Sequence, residues 1–267
     1  MITVAAMRRP ADVRGGPALT ARLSASHDLL PAIAIVAAAW TALLALDVTG
    51  VAATLHHHAL IEGGPPLWIA IPLFLLAWQV MVAAMMVPAS LPAIRWVTPV
   101  AARFGALGAQ LAFAAAFLGI WAAFGLAAFL GDMAVHRFVD ATPWLASRPW
   151  LIEAGVLAFA GGYQFVPRKR RDLETCRHPR EHGFSAAPTL RRAARVGLGH
   201  GIACVGASGA LMLLMFGEGF GGLAWMIALT AVMVLETSLR SPQRLTAIVG
   251  LGLILLSIAT LAGPTPF

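Results

Sequence analysis

The chain has 267 residues, 59% of them hydrophobic and only 12% charged, with a mean hydropathy of +0.80. A soluble domain is about 45–50% apolar and about 25% charged, so this composition excludes an ordinary water-soluble fold and points to an integral membrane protein. The formal charge of +7 does not read as nucleic-acid binding, because aromatic residues are not interleaved with the basic ones; in a membrane protein such an excess reports topology, since Lys and Arg collect on the cytoplasmic side.

Residues 1–28 are polar and arginine-bearing and are read as a cytoplasmic N-terminal segment. The first apolar run after them lacks a small-x-small cleavage pattern, which predicts an uncleaved first span rather than a signal peptide. A helix needs about 20 apolar residues to cross a bilayer. Seven stretches reach or approach that length: 29–47, 67–88, 107–131, 150–167, 196–216, 221–237 and 245–263. The expected fold is all-α, a single transmembrane domain over 29–263 built as a polytopic bundle of about seven spans. The fourth and sixth spans are the shortest. Pro31 lies in the first turn of span 1, where proline is tolerated. Pro88 and Pro92 are expected to punctuate the end of span 2.

The charges test this count. With the N-terminus inside, 17 of the 19 basic residues fall on inside segments, and only Arg137 and Arg148 fall outside. Seven spans, N-inside and C-outside, therefore satisfy the positive-inside rule; omitting either short span would scramble the sorting. The inside connector 168–195 is the most basic segment. It reads as a topology determinant lying against anionic headgroups. Outside segments are then 48–66, 132–149, 218–220 and the short tail.

Polar and soft side chains within spans are costly to bury and so carry the information. His200 and Cys204 stand four apart on span 5 and share a helix face. Met81 and Met85 do the same on span 2, with Met86 adjacent. The threading brings these residues, together with Tyr163 and Gln164 at the end of span 4 and Glu236 at the end of span 6, to the inner third of the membrane. Soft thiolate and thioether donors suit Cu(I), and imidazole suits copper or zinc. Against this stands a plainer reading, in which a buried Cys is a small hydrophobe and Met fills gaps in the core. The glycines of span 5 favour close helix approach and make it a central helix. The two cysteines, Cys176 in the basic connector and Cys204 in a span, are not expected to form a structural disulfide. His56, His57 and His58, with Glu62 nearby, read as a solvated outer loop or a weak surface metal site.

Three stretches, "AWQVMVAAMMVPASLP" (77–92), "AGGYQFVPRKRRDLETCRHP" (160–179) and the run 197–236 beginning "GLGHGIACVGASG", resemble a bacterial family of predicted metal-binding integral membrane proteins, domain of unknown function 2182. The resemblance covers about residues 67–240. The family pattern falls, among other positions, on Met81, Met85, Met86, Tyr163, Gln164, Lys169, Cys176, His200, Cys204 and Glu236, and the resemblance implies a metal-binding role. In that family a pair of cysteines follows the span-5 cysteine by three positions; here Ala207 and Ser208 stand there, which removes two thiols from the implied site.

The sequence thus predicts a multi-pass protein of the bacterial inner membrane that handles a soft metal, with copper foremost. His200, Cys204, Met81, Met85 and Met86 are the expected ligands, and Tyr163, Gln164 and Glu236 the groups that orient them. Expected partners are membrane lipids and a membrane protein or metallochaperone, not nucleic acid. A non-catalytic assembly subunit and a small-molecule transporter are the alternatives. No nucleophile–base pair or metal triad of known spacing points to an enzyme.

Overall fold

The computed structural model describes residues 30–62, 64–100, 106–177, 190–218, 222–239 and 241–263, and no strand occurs among them. The N-terminal segment 1–28, most of the later part of the basic connector (178–189) and the tail beyond 263 lie outside the described residues. The helices are α1 (Leu30–Val48), α2 (Val51–Thr54), α3 (His57–Ile61), α4 (Leu67–Val100), α5 (Ala106–Asp140), α6 (Pro143–Ala146), α7 (Trp150–Tyr163), α8 (Pro167–Arg177), α9 (Leu190–Glu218), α10 (Leu223–Ser238) and α11 (Gln243–Ala262).

Five helices are long and apolar enough to cross a membrane: Leu30–Val48, Leu67–Ile94, Gly108–Asp140, Leu190–Met215 and Gln243–Ala262. The other two expected spans form shorter apolar helices, α7 of 14 residues and α10 of 16. At 1.5 Å per residue these are about 21 and 24 Å long, against a hydrocarbon core of about 30 Å.

Three elements differ from the sequence expectation. Helix α4 runs through Pro88 and Pro92 instead of ending there. Each proline forfeits one backbone bond to the residue four earlier, a loss that neighbouring helices and side chains offset in packed apolar bundles. Helix α5 extends to Asp140, so Asp132 and His136, expected in an outer connector, lie on a helix. The start of the basic connector is α8, an amphipathic helix rather than a loop. Its Lys169, Leu173 and Cys176 are buried, while Arg168, Arg170 and Arg171 are exposed.

Helix α9 is the centre of the bundle. It packs most extensively on α5 and also meets α7, α8 and α10, and 67% of its apolar span is buried, against 22% for α11. Glycines allow the α9–α5 approach. A Cβ at Gly197 would overlap the Phe113 carbonyl oxygen, and one at Gly201 would lie 3.0 Å from Ile120 Cβ. Gly197→Val is therefore expected to cost about 1–3 kcal/mol by overpacking, read as a lower Tm in detergent. Gly199→Ala, where a Cβ meets nothing within 4 Å, leaves the Tm unchanged or slightly raised.

Helices α4 and α5 run antiparallel, joined by two side-chain bonds to backbone carbonyls. The Trp78 indole donates to the Trp121 carbonyl oxygen at 2.9 Å, and the Gln79 amide donates to that of Leu118 at 2.8 Å. Helix α11 packs on α7, where Gly161 faces Gly250 and the Ser257 hydroxyl donates to the Ala154 carbonyl oxygen at 2.7 Å.

Candidate metal centre

Two i, i+4 pairs face each other across the bundle. Met86 and Ser90 share one face of α4, as His200 and Cys204 share one face of α9. They meet in antiparallel register. Ser90 Oγ lies 3.0 Å from His200 Nε2, and one turn away Cys204 Sγ lies 3.9 Å from Met86 Sδ. All four residues are buried. The His200 ring also packs against the stacked pair Phe113 and Phe117 of α5, with centroids 5.8 and 5.7 Å away.

Helix α8 adds a second thiol. Cys176 is buried beside Cys204, and both cysteines are free. Hydrogen bonding to the Cys204 thiol, burial, and the negative charge of Asp172 one turn earlier together hold the Cys176 thiol well above its ordinary pKa. It is therefore protonated at neutral pH. Two thiols and a thioether, carried on three different helices, thus form one dry cluster with an imidazole one turn along.

The turn of α9 that carries Cys204 is fixed from the side. The Tyr163 hydroxyl donates to the Gly206 carbonyl oxygen at 2.8 Å. The Asp172 carboxylate sits over Gly206, in the space that any Cβ would occupy, and faces Arg168 at 3.5 Å. Only glycine at 206 lets α8 lie this close to α9.

Helix α8 is itself held by a buried ion pair. Lys169 Nζ donates to Glu236 Oε2 at 2.9 Å, with each side chain only 1% exposed. The Thr246 hydroxyl donates to Glu236 Oε1 at 3.0 Å. Burial lowers the Lys169 pKa, and Glu236 opposes that shift. Arg177, at the far end of α8, donates to the Leu239 carbonyl oxygen.

The residues singled out in the sequence are thus sorted by the fold. Met86 touches the Cys204 thiol, whereas Met81 and Met85 are buried in a methionine-rich core that also holds Met212, Met215, Met226 and Met233. Tyr163 holds backbone beside the cluster. Gln164 turns its amide nitrogen back to the Ala160 carbonyl oxygen at 3.0 Å, and its Oε1 has no hydrogen-bond partner among the described residues. Glu236, expected to orient a ligand, is the counter-ion of Lys169. Cys176, on which the family pattern falls, and Ser90 were both outside the expected ligand set, and of the two Cys176 is the donor of metal type. Its signal was the spacing of Lys169, Leu173 and Cys176 along one helix face, which the surrounding arginines obscured.

A set of thiols and a thioether, with imidazole nearby, favours a soft monovalent ion such as Cu(I) over hard cations. The match to known families agrees in kind: a family model described as PpoB2, copper chaperone, matches residues 75–260. No curated protein and no solved structure matches the chain.

Proposed function

Because the chain belongs to the PpoB2 copper chaperone family, we propose that it is an integral membrane protein that carries Cu(I) as cargo on Cys176, Cys204 and Met86, with His200 one turn away as a fourth donor. The observation that carries this reading is the seating of Cys204 Sγ against Met86 Sδ in a buried cluster beside a second free thiol. The resemblance of residues 67–240 to predicted metal-binding membrane proteins supports the same reading. Met81, Met85, Met212, Met215, Met226 and Met233 then form a soft, polarizable surround in which a monovalent ion exchanges partners without meeting water.

Membrane integration is supported by the exterior of the bundle. Ile33, Leu44, Ile248, Leu255 and Ile258 are all more than half exposed, an apolar surface beyond what a soluble monomer tolerates. Sorting of the basic residues supports seven crossings with the N-terminus inside, α7 and α10 being the two short ones. In that threading the copper centre lies toward the cytoplasmic face of a bacterial inner membrane, beside the basic face of α8. Its partners are lipid headgroups and a protein that delivers or receives the ion. The role is carriage, not catalysis.

Cu(I) titration of the purified protein in detergent, under anaerobic reducing conditions and in competition with a chromogenic chelator, tests this. One tightly held ion per chain is expected. Cys204→Ala is expected to weaken it by more than the roughly 10–100-fold that loss of an outer-shell partner costs. His200→Ala separates a ligand from a neighbour by the size of its effect. Unchanged occupancy in the Cys204 variant removes the reading.

A further inference from the structure

At the opposite end of the bundle, the chain brings a second set of metal-type donors together. His58 and Glu62 stand four apart around the short helix α3, and His136 lies near the C-terminal end of α5. His136 Nε2 is 2.7 Å from His58 Nδ1 and 3.3 Å from Glu62 Oε1, and His58 Nδ1 is 3.4 Å from the same oxygen. Three donor atoms from two separate parts of the chain therefore converge on one point. We propose that His58, Glu62 and His136 form a second metal site, for a divalent transition ion, distinct from the buried thiol centre. The inference does not rest on copper binding at Cys204.

The spacing of the donors fits coordination. With metal–ligand bonds of about 2.0–2.1 Å, neighbouring donors of a tetrahedral ion lie about 3.3 Å apart, and cis donors of a square-planar ion about 2.9 Å apart. Both carboxylate distances match the first value, and the imidazole–imidazole distance is closest to the second. The chemistry differs from that of the inner cluster: two nitrogens and one oxygen with no sulfur suit Cu²⁺ or Zn²⁺ rather than Cu(I), and Cu²⁺ binds such a set more tightly than Zn²⁺.

The surroundings are built in the way metal sites are. His136 Nδ1 lies 3.0 Å from the Asp132 carbonyl oxygen and 3.5 Å from the Asp132 carboxylate. A hydrogen on Nδ1 directed there leaves the Nε2 lone pair facing the site, as a histidine ligand requires. His56 caps α3 by accepting from the His58 backbone N–H, and its ring stacks on that of His58 at 5.3 Å. The His136 side chain is 11% exposed, whereas those of His58 and Glu62 are 55% and 59% exposed. One anchored imidazole and two accessible donors leave room for water to complete the coordination sphere, and for exchange with solution.

The position separates the two centres. His200 packs on Phe113 and Phe117, which lie 19–23 residues before His136 on the same helix. At 1.5 Å per residue that is about 28–35 Å, the thickness of a bilayer core.

The test uses the full-length Cys176→Ser/Cys204→Ser protein in detergent, so that the thiol centre contributes nothing. Cu²⁺ and Zn²⁺ are titrated separately, and the Cu²⁺ form is examined by electron paramagnetic resonance. One ion per chain is expected, with hyperfine structure from two imidazole nitrogens and Cu²⁺ held more tightly than Zn²⁺. His136→Gln and His58→Gln are each expected to weaken binding at least tenfold while leaving the elution volume and Tm unchanged. Failure of both ions to bind at micromolar concentration, or binding that survives the His136 substitution, overturns the proposal. Cu(I) binding by the unsubstituted protein reports only on the other centre.

Discussion

Lys169→Met is expected to lower stability by about 3–5 kcal/mol, the cost of leaving one member of a buried ion pair without its partner. For a chain of this size that corresponds to a fall in Tm of order 10 °C. The reason is local. Glu236 is 1% exposed and takes its charged contact from Lys169 at 2.9 Å; without the ammonium its remaining hydrogen bond among the described residues is to the Thr246 hydroxyl. The double variant Lys169→Met/Glu236→Leu removes both charges and is expected to recover most of the loss, because well-packed apolar replacements of a buried pair are often neutral or better. The pair also ties α8 to α10, and α8 carries Cys176. The single variant is thus expected to weaken Cu(I) binding along with stability, and the double variant to restore both. Thermal melting in detergent and Cu(I) competition on the same samples check this. A Lys169→Met protein that melts with the unsubstituted one would show that the pair does not hold α8 in place.

The apolar helices were legible in the sequence because a membrane-length run of hydrophobic residues leaves few alternatives. Helices α1, α4, α5, α9 and α11 overlap the expected stretches, although α4 and α5 run several residues further. Those extensions were hidden by local signals. Pro88 and Pro92 read as breakers, yet a proline ends a helix only when nothing else supports the freed carbonyls. Asp132, His136 and Arg137 read as loop residues because they are polar, but a helix can carry polar groups past the end of its apolar run.

At the candidate centre, the register of α4 against α9 was only half readable. The i, i+4 spacings of His200 with Cys204 and of Met81 with Met85 are sequence properties. Which methionine faces the thiol is not. The facing pair is Met86, because the antiparallel register that sets Ser90 on His200 places the preceding turn of α4, and not the one before that, opposite Cys204. The place of Cys176 in the ligand set was concealed by composition, although the family pattern fell on it. In a segment as basic as 167–177, one leucine and one cysteine on the inner face do not outweigh the arginines on the outer face. Only the docking of α8 beneath α9, permitted by glycine at 206, joins the two thiols. His136 was concealed similarly, since its partners His58 and Glu62 lie more than 70 positions earlier in the chain. Side-chain chemistry was thus available from the sequence, while the pairings across helices came from register.

Copper affinity is expected to rise steeply with pH, and the sign follows from the thiols. A cysteine binds metal as the thiolate, so any proton it carries in the metal-free protein is released on binding. The Cys176 thiol is held well above its ordinary pKa by Cys204, burial and Asp172, so across pH 6–8 it carries its proton before copper arrives and loses it afterwards. The metal-free state then binds more protons than the loaded state, and acid favours the metal-free state. Release of the Cys176 proton by itself makes the apparent affinity rise about tenfold per pH unit, or about a hundredfold from pH 6 to 8, and the proton with which the Cys204 thiol faces Met86 adds to that slope when it too is displaced. Cys176→Ser removes this proton and is expected to reduce the slope by about one, even if the remaining Cys204 and Met86 still hold copper weakly. Asp172→Asn is expected to ease deprotonation of Cys176, raising affinity without changing the slope while the thiol remains protonated. Competition titrations at several pH values, corrected for the titration of the chelator itself, measure the slope directly. An affinity independent of pH over this range would mean that Cys176 does not ligate the ion.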